Sequence, residues 1–173
     1  EIEKSVVDSY NAVHGTFFMP TDITKLHAED LGIVDTDKYD YILIDCPPSL
    51  GILTLNGLAA ADAVLVPMQC EYFALEGISL LLQTVKKVQK TINPNLVIGG
   101  IFFTMYDSRT RLAQDVVMQV KSYFKDVVFN TIIPRNVRLS EAPSRGLPIC
   151  KYDPDCAGAK SYAKLAEEVM QRG

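Results

Sequence analysis

The sequence predicts an α/β fold in which a mostly parallel sheet carries helices on both faces. From Tyr39 onward, apolar runs of strand length alternate with segments of helical periodicity. The apolar runs are rich in valine and isoleucine and nearly continuous, which is typical of parallel strands that are covered on both sides. Parallel strands in this alternating order need helical crossovers, so we expect helices on both faces of the sheet.

The predicted strands and helices follow from these patterns. Asn93–Pro94 is expected to end the first helix and Gly158 to open the last one. The apolar runs are YILID at 41–45, ADAVLVP at 61–67, NLVIGGIFFT at 95–104 and VVFNTIIP at 127–134. Apolar residues at spacings of three and four predict helices over Leu75–Ile92, Leu112–Phe124 and Ala159–Val169.

Length and composition favour one globular domain, since the chain has 173 residues and a hydrophobic content of 48%. We assign residues 39–173 to one α/β domain and leave residues 1–38 unassigned. The sequence contains neither a long uninterrupted apolar run nor a signal-peptide pattern at its start. These features predict a soluble, cytoplasmic protein without a membrane partner.

Asp45 follows four apolar residues at the end of the first predicted strand. The carboxyl ends of parallel strands form the crevice where open α/β sheets bind ligands. A carboxylate at that position suits Mg²⁺, usually through coordinated water, at the phosphate end of a nucleotide. Pro47 and Pro48 prevent further ladder pairing, and Ser49–Gly51 predict a turn. The simpler alternative is that Asp45 only ends the strand or caps the helix after Gly51.

The arginines are concentrated in one part of the chain. Five of the six arginines fall between Arg109 and Arg145, where there are seven basic and three acidic residues. Guanidinium groups suit phosphates and need no base readout, so this region either binds DNA non-specifically or is an ordinary solvated surface. The pI near 5.2 is far from that of a constitutive DNA binder. The arginines concerned are Arg109, Arg111, Arg135, Arg138 and Arg145.

Other side chains have both a functional and a structural interpretation. Pro134 offers a flat apolar surface and a carbonyl that suit a base edge, or it merely ends a strand. Asn136 either hydrogen-bonds a base or caps a turn. Asp107 is expected to N-cap a helix that begins near Arg109. Tyr72 and Phe73 are expected to belong to the core.

Three long segments closely resemble the ParA/Soj family of partitioning ATPases, which are relatives of MinD. They are YDYILIDCPPSLGILTLNGLAAADAVLVPMQCEYFALEGISLLLQTV, TMYDSRTRL and TIIPRNVRLSEAPSRGLPICKYDP. The resemblance implies a P-loop NTPase-like protein that binds ATP and Mg²⁺ and dimerises around ATP. It also implies non-specific DNA binding, release by a ParB-type partner, a role in chromosome or plasmid partitioning, and a cytoplasmic, nucleoid-associated location.

The resemblance further implies roles for individual residues. Asp45 would be the Walker B aspartate that holds Mg²⁺ through water, and Thr104 would help to frame the adenine. Of the arginines, Arg109, Arg111 and Arg138 are the DNA candidates. The adenine positions also include Pro134, Arg135 and Asn136. The switch region that follows the Walker B aspartate matches Cys46, Pro47, Pro48 and Ser49.

The sequence departs from the family in one respect. It contains no G-x-x-x-x-G-K-[ST] loop, no K-G-G-V-G-K-T variant and no D-x-D-P-Q segment. Without that phosphate cradle we expect an incomplete sheet and no ATP hydrolysis by this chain alone. The loop is either missing by truncation or lost by nature. The missing loop favours a non-catalytic interaction scaffold as one alternative. The predicted strand ending in Asp45 is also typical of a receiver-like phosphoacceptor domain, which is the other alternative.

Overall fold

The computed structural model describes residues 40–47 and 49–172. The chain divides into two units. One unit contains the described residues up to Val64 together with Leu80–Val97, and the other contains Leu65–Ser79 and the residues from Ile98 onward. The predicted boundary at residue 39 lies outside the described residues and stays a prediction.

Three strands and six α-helices are present in the described part of the chain. The strands are β1 (Ala63–Gln69), β2 (Val97–Tyr106) and β3 (Val128–Pro134). The helices are α1 (Ile52–Ala60), α2 (Ala74–Thr91), α3 (Arg111–Phe124), α4 (Val137–Glu141), α5 (Ile149–Tyr152) and α6 (Ala157–Arg172). Short 3₁₀ helices occupy Lys125–Val127 and Ala142–Arg145.

The predicted fold class is confirmed. The strands form one sheet in the order β1-β2-β3, with β2 and β3 parallel, and helices lie on both sides. Three of the four predicted strands and all three predicted long helices are found within a few residues of their expected bounds. Pro67 is tolerated inside β1 because β1 is an edge strand of the described sheet.

The core of the second unit lies between β3 and α6. Phe129 and Ile133 of β3 pack with Leu165 of α6, and Phe102 of β2 packs against the same cluster. Ile101 and Phe103 alternate with Phe102 along the strand, so they point to the opposite side, and both are fully buried. The sheet is therefore apolar on both faces, as the sequence predicted.

In the first unit, Asn93 ties the end of one helix to the loop that follows another. Its side-chain amide donates to the carbonyl oxygens of Leu58 at 3.2 Å and Ala61 at 2.8 Å. The last carbonyls of a helix have no partner within the helix, so Asn93 satisfies acceptors at the C-terminal end of α1. The residue that was expected to stop α2 thus also orders the packing of the unit.

The predicted strand at the start of the domain is not observed. Residues 41–47 have no regular structure, and Tyr41, Ile42 and Leu43 are 51%, 48% and 82% exposed. A parallel strand is stable only when neighbouring strands accept and donate its ladder hydrogen bonds, and no described strand pairs with this segment. The prediction of a buried strand ending in Asp45 is therefore wrong for the described residues.

The placement of Tyr72 and Phe73 also corrects the sequence analysis. Both were expected in the core, but they are 73% and 72% exposed. Their rings meet edge to face at a centroid distance of 5.2 Å in the loop before α2. The loop carries them away from the apolar stripe of the helix, whose first buried residue is Ile78.

Candidate functional site

The carboxyl ends of β2 and β3 lie side by side. Tyr106 is the register partner of Pro134, and the N–H of Arg135 donates to the Tyr106 carbonyl at 2.9 Å. This pairing brings Thr104, near the end of β2, to the same sheet edge as the segment Pro134–Asn136. The predicted adenine positions of the second unit therefore share one edge, where ligands of open α/β sheets bind.

A bulge interrupts β2 at this edge. The register runs from Phe103↔Ile132 to Tyr106↔Pro134, so β2 spends one residue more than β3 over the same step. Met105 lies inside the bulge with φ of 52°, in the left-handed region that side chains other than glycine rarely adopt. Bulges and strained residues of this kind concentrate next to functional sites. The sequence did not reveal it, since a methionine does not signal a positive φ.

Asn136 caps the helix that follows β3. Its side-chain oxygen accepts a hydrogen bond from the N–H of Arg138 at 2.9 Å, which makes it the N-cap of α4. Of the two roles predicted for Asn136, the structural one is therefore present. The cap uses the amide oxygen and leaves the amide Nδ2 group to donate elsewhere. A contact with a base stays a prediction.

Asp45 is exposed in the irregular segment of the first unit. Cys46 beside it is half-buried, and burial, together with the charge of Asp45, raises the pKa of the Cys46 thiol. An exposed carboxylate has room for the coordinated water through which aspartate commonly holds Mg²⁺. Within residues 40–47 and 49–172 no three His, Cys, Asp or Glu side chains cluster as metal ligands.

Thr54 is a residue of this segment that the sequence analysis missed. Its buried hydroxyl lies 3.2 Å from the Pro47 carbonyl oxygen and 2.6 Å from the Ser49 carbonyl oxygen. The signal that could have found it is a hydroxyl residue in the first turn of the helix after the Pro-Pro-Ser-Leu-Gly stretch. Pro48, which was predicted as part of the switch region, lies outside the described residues.

Asp107 and Arg109 form an exposed ion pair. The Asp107 carboxylate accepts from Arg109 Nε at 2.9 Å, from Nη2 at 2.7 Å and from the Arg109 backbone N–H at 3.0 Å. These bonds from Arg109 hold the pKa of Asp107 well below its usual range. The expected helix cap is not formed, because α3 begins two residues later, at Arg111, with Thr110 as its N-cap.

Arg138 also has acidic partners. Its Nη1 lies 2.8 Å from Glu141 Oε2 and its Nε lies 3.3 Å from Asp153 Oδ2. Tyr152 donates its hydroxyl to the same Glu141 oxygen at 3.1 Å. The hydrogen bond with Glu141 raises the pKa of Arg138, and the bonds from Arg138 and Tyr152 lower the pKa of Glu141. Arg138 is thus anchored, although half of its side chain stays exposed.

The remaining candidate arginines are exposed. Among the described residues no carboxylate forms an ion pair with these side chains. A guanidinium without a protein partner can pair with phosphate without first breaking an internal bond. These arginines are Arg111, Arg135 and Arg145.

Within residues 40–47 and 49–172, no helix is long and apolar enough to cross a membrane.

Known structures resemble this fold. The cobyrinic acid a,c-diamide synthase of Mycobacterium smegmatis, crystallised with ADP and magnesium, matches with a TM-score of 0.63 and 37% identity. That match covers 83% of this chain and 51% of the other. The parallel sheet, its helices and the polar strand-end residues define a P-loop NTPase-like α/β protein.

Sequence comparisons identify the family. A family model described as an AAA domain matches residues 13–98. The chromosome-partitioning ATPase Soj of Treponema pallidum is 74% identical over 136 residues, which are 79% of this chain and 54% of that protein. The chromosome partitioning protein ParA of Myxococcus xanthus is 58% identical over 135 residues, 78% of this chain and 48% of that protein. This chain belongs to the ParA/Soj family, and it spans about half the length of the curated relatives it matches.

Neither alternative that the sequence left open is favoured by these comparisons. The matching relatives are partitioning ATPases, and they include neither receiver-like phosphoacceptor domains nor proteins named as scaffolds among the matches described. The predicted family is confirmed. The roles of the individual site residues stay predictions.

Proposed function

We propose that this chain is the Walker B part of a partitioning ATPase that acts on chromosomal or plasmid DNA. The observation that carries the proposal is the 74% identity over 136 residues with the Soj protein of Treponema pallidum. In a chain of 173 residues a match of this length includes residues 38–136 wherever it begins. It therefore includes Asp45 and all the residues of the β2–β3 edge.

In this proposal the magnesium ion and the base of the nucleotide are held by different residues. Asp45 would hold Mg²⁺ through water, and Mg²⁺ would supply positive charge to the β- and γ-phosphates. Thr104, Pro134 and Asn136 would frame the adenine at the β2–β3 edge. Hydrolysis also needs a phosphate-binding loop, which the printed sequence does not contain.

DNA binding would follow from the exposed arginines. Phosphate contacts of this kind are independent of base sequence and weaken as salt rises. A homodimer formed around ATP would double the number of such contacts, and a ParB-type partner would end the bound state by stimulating hydrolysis. The candidates are Arg109, Arg111 and Arg138.

A hybrid protein tests the proposal. It joins the part of Treponema pallidum Soj that this chain does not match to residues 38–173 of this chain. We expect Mg²⁺-dependent ATP hydrolysis that Asp45→Ala reduces by about a hundredfold or more, the usual scale for lost electrostatic stabilisation. Asp40→Ala is the matched control, because Asp40 is an exposed carboxylate in the same region.

Two outcomes would contradict the proposal. One is a correctly folded hybrid without ATPase activity, and the other is an Asp45→Ala hybrid that hydrolyses ATP as fast as the Asp40→Ala control. This chain by itself is expected to bind Mg-ATP weakly or not at all. Calorimetry that finds micromolar affinity for the chain, lost on Asp45→Ala, would show that no external phosphate loop is required.

A further inference from the structure

The hydroxyl of Thr54 connects helix α1 to the chain that follows Asp45. It lies 2.6 Å from the Ser49 carbonyl oxygen and 3.2 Å from that of Pro47, so Ser49 is the main acceptor of its single proton. Thr54 is 7% exposed and lies in the first turn of α1. A buried hydroxyl in this position links the first turn of the helix to the loop directly before it.

Other threonines of the same unit bond differently. Thr84 donates to the Leu80 carbonyl at 3.1 Å, and Thr91 donates to the Lys87 carbonyl at 2.9 Å. Both acceptors lie four residues earlier in the same helix, which is the ordinary local bond of a helical threonine. Thr54 instead reaches back beyond Gly51, an N-cap without any side-chain bond. Its bonds therefore order a loop and do not merely satisfy a helical hydroxyl.

We infer that Thr54 is a positioning residue for the segment after Asp45, defined as residues 46, 47 and 49–51. The Ser49–Leu50 peptide is trans, so its N–H points away from its carbonyl. A hydroxyl that fixes the Ser49 carbonyl also fixes the Leu50 N–H, which then faces away from Thr54. The inference rests on the proposed function for its link to nucleotide, but its structural part can be tested without nucleotide.

The thiol of Cys46 reports on this segment. Cys46 is half-buried and Cys150 is exposed, so the two thiols of one molecule can be compared by iodoacetamide modification. Thr54→Val keeps the side-chain volume and removes the donor. We expect Cys46 to react roughly three- to tenfold faster than in the parent, relative to Cys150, which corresponds to the loss of one or two ordinary hydrogen bonds. Thr54→Ser and the matched control Thr84→Val are expected to keep the parental rate.

An unchanged Cys46 rate in Thr54→Val would overturn the inference. Cys70 monitors folding, because it is buried and burial raises the pKa of its thiol to about 11. If Cys70 also becomes reactive in Thr54→Val, that variant is not correctly folded, and Thr54→Ala is measured in its place. Protection of Cys46 in Thr54→Ser but not in Thr54→Ala supports the inference, and equal rates in those two variants overturn it.

ATP turnover by the hybrid protein separates the inference from the proposed function. Thr54→Val is expected to lower kcat by a larger factor than it raises KM, and Thr54→Ser to restore kcat. If Thr54→Val raises KM and leaves kcat unchanged, a positioning role is overturned. A hybrid that is inactive even with Thr54 would contradict the proposed function, while the Cys46 result would stand by itself.

Discussion

The carboxylate of Glu168 on α6 accepts a hydrogen bond from the backbone N–H of Asn130 in β3 at 2.7 Å. Its other oxygen accepts from the N–H of Thr131 at 3.0 Å. The ladder between β2 and β3 is irregular here, because the register passes from Ile101↔Val128 to Phe103↔Ile132. Glu168 therefore satisfies donors that the irregular ladder leaves free.

Arg172 completes this contact between α6 and β3. Its Nη2 lies 3.2 Å from Glu168 Oε1 and donates to the Val128 carbonyl at 3.1 Å. The guanidinium carbon lies 4.0 Å from the centroid of the Phe129 ring, within the range of a cation–π interaction. The last turn of α6 is thus attached to the strand by charge, hydrogen bonds and ring contact together.

Glu168→Gln is expected to destabilise the protein by about 1–3 kcal/mol at pH 7, because hydrogen bonds to a charged acceptor are lost. Burial opposes ionisation of Glu168, but the N–H bonds from Asn130 and Thr131 outweigh burial and lower its pKa. A lowered folded-state pKa stabilises the fold above the unfolded value, about 4.3, and this stability disappears as pH falls through the folded pKa.

Urea unfolding at several pH values measures the effect of Glu168→Gln. The difference between parent and variant should be full above about pH 5 and should shrink as the pH falls below about 4. Glu167→Gln is the matched control, since Glu167 is exposed on the same helix. Equal stabilities of the two variants at pH 7 would show that the Glu168 contact contributes nothing.

Gly158→Ala and Gly77→Ala are expected to have opposite effects on stability. A Cβ at Gly158 would lie 2.6 Å from Cγ of Leu139, so alanine there should cost about 1–3 kcal/mol through overpacking. A Cβ at Gly77 would meet nothing within 4 Å, and alanine inside α2 should stabilise the protein by about 0.5–1 kcal/mol.

Thermal and urea unfolding of the two glycine variants give the comparison directly. The same substitution in two helices cancels the common effect of glycine on the unfolded chain. A stabilising Gly158→Ala would mean that α4 and α6 are less closely packed at Leu139 than the structure shows.

Asp107→Asn is expected to strengthen DNA binding by the ATP-bound hybrid by roughly three- to tenfold at low salt. In the parent, Asp107 binds the Arg109 guanidinium through both carboxylate oxygens. Under the proposed function it would therefore compete with DNA phosphates for Arg109. Asparagine can still accept the bond from the Arg109 N–H, so the turn is kept while the competing charge is removed.

Fluorescence anisotropy with duplexes of unrelated sequence measures this effect over a range of salt. Asp115→Asn is the matched control, because it changes the net charge equally at an exposed carboxylate without an arginine partner in the described part of the chain. For Asp107→Asn, the slope of the logarithm of the DNA-binding constant against the logarithm of the salt concentration should become steeper by about one, which corresponds to one more released counterion. Equal affinities of the two variants would contradict competition by Asp107.

The candidate site shows how far sequence reasoning reached. The apolar run before Pro134 correctly predicted a strand that ends at that residue, and Asn136 was correctly given a capping role as one alternative. Asp107 was expected to cap a helix that begins near Arg109, but that helix begins at Arg111 and Asp107 accepts from the N–H of a turn instead. Met105 carried no local signal, since its positive φ results from the bulge in β2.

The sequence by itself determined the alternation of strands and helices, the apolar faces of the long helices and the family, because periodicity and motifs are local properties of the chain. Only the tertiary structure decided that the segment ending in Asp45 is exposed, because a strand requires partners that local sequence cannot supply. It also decided the bond of Glu168 to Asn130, which joins residues 38 positions apart. Contacts over such separations depend on how elements pack together.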